Sequence, residues 1–166
     1  MTNREVVTAF FTNYQKHNPE GMHACLAPGV EFCDLAYKSI TGPDVFAMWR
    51  WFCRKTETRK EIEVPGFDIL SSEGDRVSAE YWVRYSPAPG KLVNYVIRSE
   101  FTLSNGAIVR QVDKPVISVF EFARMAKGFP LCLLALTPAF KIMTRKVMRQ
   151  KLDDSKAPKA AAGSGG

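Results

Sequence analysis

Val30-Glu31-Phe32-Cys33-Asp34-Leu35-Ala36-Tyr37-Lys38-Ser39-Ile40-Thr41-Gly42-Pro43-Asp44, running into Val45-Phe46-Ala47-Met48-Trp49-Arg50-Trp51-Phe52-Cys53, reads as a short strand, a turn and an aromatic helix. In a strand, residues two apart share a face. Val30, Phe32 and Asp34 therefore point one way, and Glu31, Cys33 and Leu35 the other. If Val30 and Phe32 face the core, Asp34 faces it too. A carboxylate in an apolar interior is costly unless it is paired or its pKa rises. Two readings of Asp34 follow: an inward carboxyl available for chemistry, or a strand-end Asp that turns outward and binds turn amides.

Upstream, Arg4 to Lys16 is helical in pattern, with Val6, Val7, Phe10, Phe11 and Tyr14 in one stripe and Thr2 or Asn3 as cap. Tyr14 is either a core-edge residue or a hydrogen-bonding group in a cavity. Pro19 suits the first turn of a second short helix lined by Met22, Cys25 and Leu26, and Pro28-Gly29 ends it. Gly42-Pro43-Asp44 opens the third helix, whose apolar side carries Val45, Met48, Trp49, Phe52 and Cys53. Such a helix is core or the wall of a ligand pocket.

From Lys60 the period changes to two. Ile62 and Val64, then Phe67 and Ile69, alternate ahead of the turn Glu73-Gly74-Asp75. Val77, Ala79, Tyr81, Val83 and Tyr85 form one face of a long strand. Pro87-Ala88-Pro89-Gly90 connects it to the next, where Tyr95, Ile97, Ser99, Phe101 and Leu103 share a face. Ser104-Asn105-Gly106 supplies the positive φ angles of a tight hairpin, and Ala107 to Asp113 is a further strand that Pro115 interrupts or ends. Arg98 and Glu100 share a strand face, and Glu80 and Arg84 lie on the adjacent strand. They read as a cross-strand ion-pair ladder or as a charged cluster that orients Asp113 or a substrate.

The chain has 166 residues, 46% of them hydrophobic, enough for one domain with a core. Of its net charge of +6, residues 141–159 hold seven basic against two acidic side chains, so the rest is nearly neutral. That distribution does not suit a nucleic-acid-binding face. Neither His17 and His23 nor Cys25, Cys33, Cys53 and Cys132 have metal-ligand spacing, so no metal and no cofactor are expected. The start, Thr2-Asn3-Arg4-Glu5, is polar and charged, unlike a secretory leader, and a cytoplasmic protein with reduced cysteines is expected. Val119 to Lys127 is helical or irregular. Phe129 to Met143 is apolar but too short to span a bilayer and is broken by Pro138. A basic helix from Lys141 to Leu152 follows, then a Lys/Ala/Gly/Ser-rich stretch with the composition of a disordered tail.

Three helices, a short strand before the third, then long antiparallel strands resemble the nuclear transport factor 2-like superfamily over about residues 4–127. That superfamily includes ketosteroid isomerases, limonene epoxide hydrolases and SnoaL-like polyketide cyclases, as well as non-enzymatic binding domains. The resemblance rests on Phe32-Cys33-Asp34, Thr41-Gly42-Pro43-Asp44-Val45, Met48-Trp49-Arg50, and Ser104-Asn105-Gly106-Ala107-Ile108-Val109-Arg110-Gln111-Val112-Asp113. Phe122-Ala123-Arg124-Met125-Ala126-Lys127-Gly128, with Leu133-Leu134 and Thr137-Pro138, is similar to a bacterial SnoaL-like group with a helical extension. It implies an α+β fold, a cone-shaped curved antiparallel sheet wrapped around three N-terminal helices. The domain would span 1–127, the helical extension 128–152 and the disordered tail 153–166.

By that resemblance Asp34 falls where ketosteroid isomerases hold their general base. Their oxyanion Tyr position holds Phe11, with Tyr14 one turn on, and their protonated Asp falls near Arg98 or Ser99. Asp113 aligns with the second water-activating Asp of the epoxide hydrolases. Their Arg-x-Asp pair falls at Tyr81-Trp82-Val83, while Arg98-Ser99-Glu100 carries a similar pattern one strand later. Lys114-Pro115-Val116 stands where the bacterial group has His-Phe-Asp. The expected site is thus Asp34 and Asp113 as catalytic carboxyls, lined by Phe11, Tyr14, Phe32, Tyr37, Trp49 and Arg98. One reading is an apolar pocket that isomerises, cyclises or hydrates a small hydrophobic molecule by proton transfer. The other is a non-catalytic ligand-binding or dimerisation domain. A homodimer through the outer sheet face is implied, and peripheral membrane contact through residues 129–152 is a further option.

Overall fold

The structure is a computed structural model that describes residues 1–54, 62–88, 91–116, 142, 146–150 and 152–153. The expected Val119–Lys127 segment, most of the apolar run 129–143 and nearly all of the tail lie outside the described residues.

Helix α1, Asn3–Gln15, starts where the sequence provides a cap. The Thr2 hydroxyl accepts from the Glu5 amide and the Glu5 carboxylate accepts from the Thr2 amide. Its stripe of Val6, Val7, Phe10, Phe11 and Tyr14 is buried. Helix α2, Pro19–His23, is capped by Asn18. Strand β1, Leu26–Cys33, begins earlier than the sequence suggests. The expected stop at Pro28-Gly29 is corrected: β1 shifts register against its neighbour between Leu26 and Glu31, so a bulge carries Pro28 and Gly29 outside the ladder. Val30 and Phe32 face the core as the alternation requires.

Strand β2, Ile40–Thr41, leads through Gly42, at φ +48°, into helix α3, Pro43–Phe52. Strands β3 (Phe67–Glu73), β4 (Arg76–Ala88), β5 (Lys91–Ser104) and β6 (Ala107–Pro115) follow. The six strands form one open, curved sheet in the order β2-β1-β6-β5-β4-β3. All neighbours pair antiparallel except β1 and β6, which run parallel. Register shifts in the β3–β4, β4–β5 and β5–β6 pairs add bend and twist. The inner face closes on α1 and α3 through aromatic contacts: Phe10 to Trp49 at 5.3 Å, Phe11 to Tyr81 at 5.0 Å and Phe11 to Phe101 at 5.6 Å between ring centres. The outer face carries the charged ladder, with Arg98 bound to Glu80, Arg84 to Glu63 and Ser78 to Glu100.

Residues 146–150 and 152–153 are helical. Leu152 joins the main core at 1% exposure, and Arg149 Nη1 donates to Asp44 Oδ2 at 3.3 Å, at the start of α3. That ion pair is solvated and contributes little, about 0–1 kcal/mol. The anchor is therefore the Leu152 side chain. Leu152→Ala is expected to lower the unfolding free energy by about 2–5 kcal/mol in urea titrations. Ile142→Ala, at an exposed position, should change it by less than about 0.5 kcal/mol.

Candidate functional site

The inner face of the sheet holds one buried carboxyl among the described residues, Asp113 on β6. Ser99 of β5 is its register partner, and the Ser99 hydroxyl donates to Oδ1 at 2.5 Å. Gln111, two residues back on the same face, donates its Nε2–H to Oδ1 at 2.9 Å. Tyr81, on β4, donates its hydroxyl to Oδ2 at 2.7 Å. Ala79 and Ser99 are register partners between these groups. Their small side chains leave room for the Tyr81 phenol to lean across β5.

Two effects oppose each other at Asp113. Burial disfavours the carboxylate, while the three donors favour it. Burial wins, helped by the negative charge of Asp34, and the pKa is pushed up from 3.8 to about 6. The same burial, with the charge of Asp113, raises the Tyr81 phenol well above its ordinary value, so it remains a donor. Burial likewise raises Tyr95 on β5, whose environment includes Asp113 and Asp34.

Asp34 follows directly on β1. Cys33 pairs with Val112, and the parallel register carries Asp34 toward Asp113. Asp34 is half-buried, and its Oδ1 accepts from the Tyr37 amide at 2.5 Å. Asp34 thus binds a turn amide, as one of the two readings has it, and its charge also acts on the buried carboxyl.

The expected lining residues divide. Phe11, Tyr14, Phe32 and Trp49 are buried in the cone: Tyr14 lies 5.1 Å from Trp49 and 6.2 Å from Tyr81, and Phe32 lies 5.6 Å from Trp49. Tyr37 is half-buried with its ring 6.5 Å from Phe32. Arg98 is not brought to this group. It is exposed on the outer face, where Glu80 holds it, because it is offset by one residue from inward-facing Ser99 and Ile97. Tyr81, Ser99 and Gln111 were not expected as site residues. The available signal was a polar residue within an otherwise apolar strand face: Ser99 stands between Ile97 and Phe101.

The two histidines are bound to main chain, His17 Nε2 to the Ile62 carbonyl and His23 Nε2 to the Phe46 carbonyl. Among the described residues no group of three His, Cys, Asp or Glu could hold a metal ion. No described helix is long and apolar enough to cross a membrane.

The raised pKa of Asp113 gives stability a definite pH dependence. The folded protein holds the Asp113 proton more tightly than the unfolded chain, so this contribution is complete below about pH 4 and is lost as pH rises through about 6. The unfolding free energy of wild type minus that of Asp113→Asn, measured in urea at each pH, should therefore fall between those values and then level off.

Residues 7–111 match the model of the SnoaL-like domain family. Solved structures share the fold at low identity. A candidate polyketide cyclase from Xanthomonas campestris is 19% identical with a TM-score of 0.61, covering 75% of this chain and 96% of its own. A nuclear transport factor 2-like protein of unknown function from Burkholderia pseudomallei gives 18% and 0.60, covering 75% and 97%. An LEH-like epoxide hydrolase from M. tuberculosis gives 20% and 0.56, covering 80% and 92%. No curated protein gives a significant match.

Proposed function

The chain belongs to the SnoaL-like domain family, and from that premise we propose that its cone binds a small, largely apolar molecule and moves a proton on it. The observation that carries this reading is the Asp113 carboxyl, buried among inward-facing donors with a pKa of about 6 and the charge of Asp34 nearby. General acid–base catalysis works best when the pKa lies near the working pH. Asp34, half-buried past the end of β1, takes a proton from substrate as base. Asp113 holds or gives the second proton, and Tyr81 and Ser99 keep its oxygens in place. Isomerisation, cyclisation and hydration all need this pair of transfers. The likeness to a candidate polyketide cyclase and to an epoxide hydrolase supports the class of small-molecule chemistry, at fold level.

A second reading has its own observation. All three donors to Asp113 come from the protein itself, so the carboxylate is satisfied without a ligand. A non-catalytic binding domain is built the same way.

Turnover of a panel of enolisable ketones and epoxides separates the two. The catalytic reading expects kcat/KM to show a limb near pH 6 that disappears in Asp113→Asn. It also expects Asp34→Asn to lower the rate by about 100-fold or more. Ligand binding without turnover on any panel member would establish the second reading instead.

We also propose a homodimer formed through the outer sheet face. Trp82, 37% exposed, borders a shallow 260 Å³ groove with Pro65 and Val96 there, and a second copy would cover it. Light scattering at micromolar concentration should give twice the chain mass, falling to the chain mass in Trp82→Lys. A monomer mass for the wild type would refute it.

A further inference from the structure

Leu152 holds a basic segment against the cone. Residues 142, 146–150 and 152–153 are helical. Leu152 lies in the main core at 1% exposure, and Met148, one turn before it, is half-buried. At about 3.6 residues per turn, Lys146, Val147 and Gln150 fall on the side away from Leu152. All three are exposed. The segment therefore has one face seated on the protein and another turned outward.

Two properties coincide outside. The first is charge: residues 141–159 carry seven Lys or Arg against two Asp, in a chain whose net charge is only +6. Arg149, although bound to Asp44, keeps 57% of its side chain exposed. The second is apolar area. Ile142 is 65% exposed and Val147 44%, among the large hydrophobic side chains that the cone leaves uncovered. A nucleic acid would match the charge and leave Ile142 and Val147 in water. A bilayer with anionic headgroups matches both, because its phosphates attract Lys and Arg while its acyl boundary accepts apolar side chains.

We propose that Ile142, Lys146, Val147 and Arg149 dock this protein on the surface of an anionic phospholipid bilayer. Lys146 and Arg149 meet lipid phosphates, and Ile142 and Val147 enter the headgroup boundary. Binding strength at such a surface scales with buried apolar area plus electrostatic attraction, so each pair reinforces the other. The contact is peripheral, since a spanning helix needs roughly 20 consecutive apolar residues. The burial of Leu152 in the core couples the segment to the cone, so the folded domain is carried to the bilayer rather than tethered beside it. The proposal goes beyond the reaction proposed above and does not depend on it.

Co-sedimentation of the full chain with lipid vesicles tests it. Vesicles of mixed phosphatidylcholine and phosphatidylglycerol should bind at least about tenfold more tightly than pure phosphatidylcholine at about 0.1 M salt, and that preference should collapse near about 1 M. Lys146→Glu with Gln150→Glu should weaken binding to mixed vesicles by at least about tenfold. Ile142→Gln with Val147→Gln leaves the charge unchanged and should also weaken it by at least about tenfold, through lost apolar burial. All four positions are exposed, so both double variants should fold, and the comparison between vesicle types needs no variant. No binding to mixed vesicles, or equal binding to both kinds, overturns the proposal. Undiminished vesicle binding by the Ile142 and Val147 double variant overturns it too, as does a DNA duplex bound as tightly as mixed vesicles. The segment would then be a general polyanion site.

Discussion

Burying the carboxyl of Asp113 is the constraint on which the inner face of this sheet depends. An isolated carboxylate there would be expelled or permanently protonated. Three strands prevent that by each supplying a donor: Tyr81 from β4, Ser99 from β5 and Gln111 from β6 itself. The arrangement requires the β4–β5–β6 register to be held, since a one-residue slip would turn every one of these side chains to solvent. The Asn105-Gly106 hairpin turn, with φ of +51° and +74°, fixes β5 against β6. Asp113 titrates near 6 because burial outweighs donors that are still strong enough to keep its ionised form accessible.

The rest of the cone sets the surroundings of that carboxyl. Helix α1 brings Phe11 and Tyr14 against Tyr81, and α3 brings Trp49 against Tyr14 and Phe32. The parallel β1–β6 pairing delivers Asp34 to the same end of the sheet. This last contact joins residues far apart in the chain, and it makes the charge of Asp34 a cause of the Asp113 shift. Burial remains the main cause of that shift, and the charge of Asp34 adds to it.

The elements were legible from local pattern. The α1 stripe, the Pro19 and Pro43 helix starts, the turns at Gly74 and at Asn105-Gly106, and the inward set Val77, Ala79, Tyr81 and Val83 all follow from period and turn chemistry. The candidate site was legible only in part. Asp34 stood out as a carboxyl on an apolar strand face and Asp113 through the family resemblance, whereas the donors to Asp113 depend on pairing between strands. No periodicity states which residue of β4 reaches over β5. Arg98 was misplaced by its pattern with Ser99 and Glu100, and alternation alone assigns it to the outer face with Glu80. The bulge that lets Pro28 sit inside β1 was likewise hidden, because proline and glycine together read as a stop. Leu152 was readable as an apolar helix position, but not as a core residue, since its partners are distant in sequence.

The most direct measurement is the pKa of the Asp113 carboxyl itself, by carbon-detected NMR titration of the full chain, with Asp113→Asn for assignment. A midpoint near 6, displaced downward when Asp34 is changed to Asn, is the expected result. A midpoint at or below the ordinary aspartate value of about 3.9 would mean that the three donors outweigh burial. Asp113 would then be a fixed structural anion, and the proton-transfer account would fail.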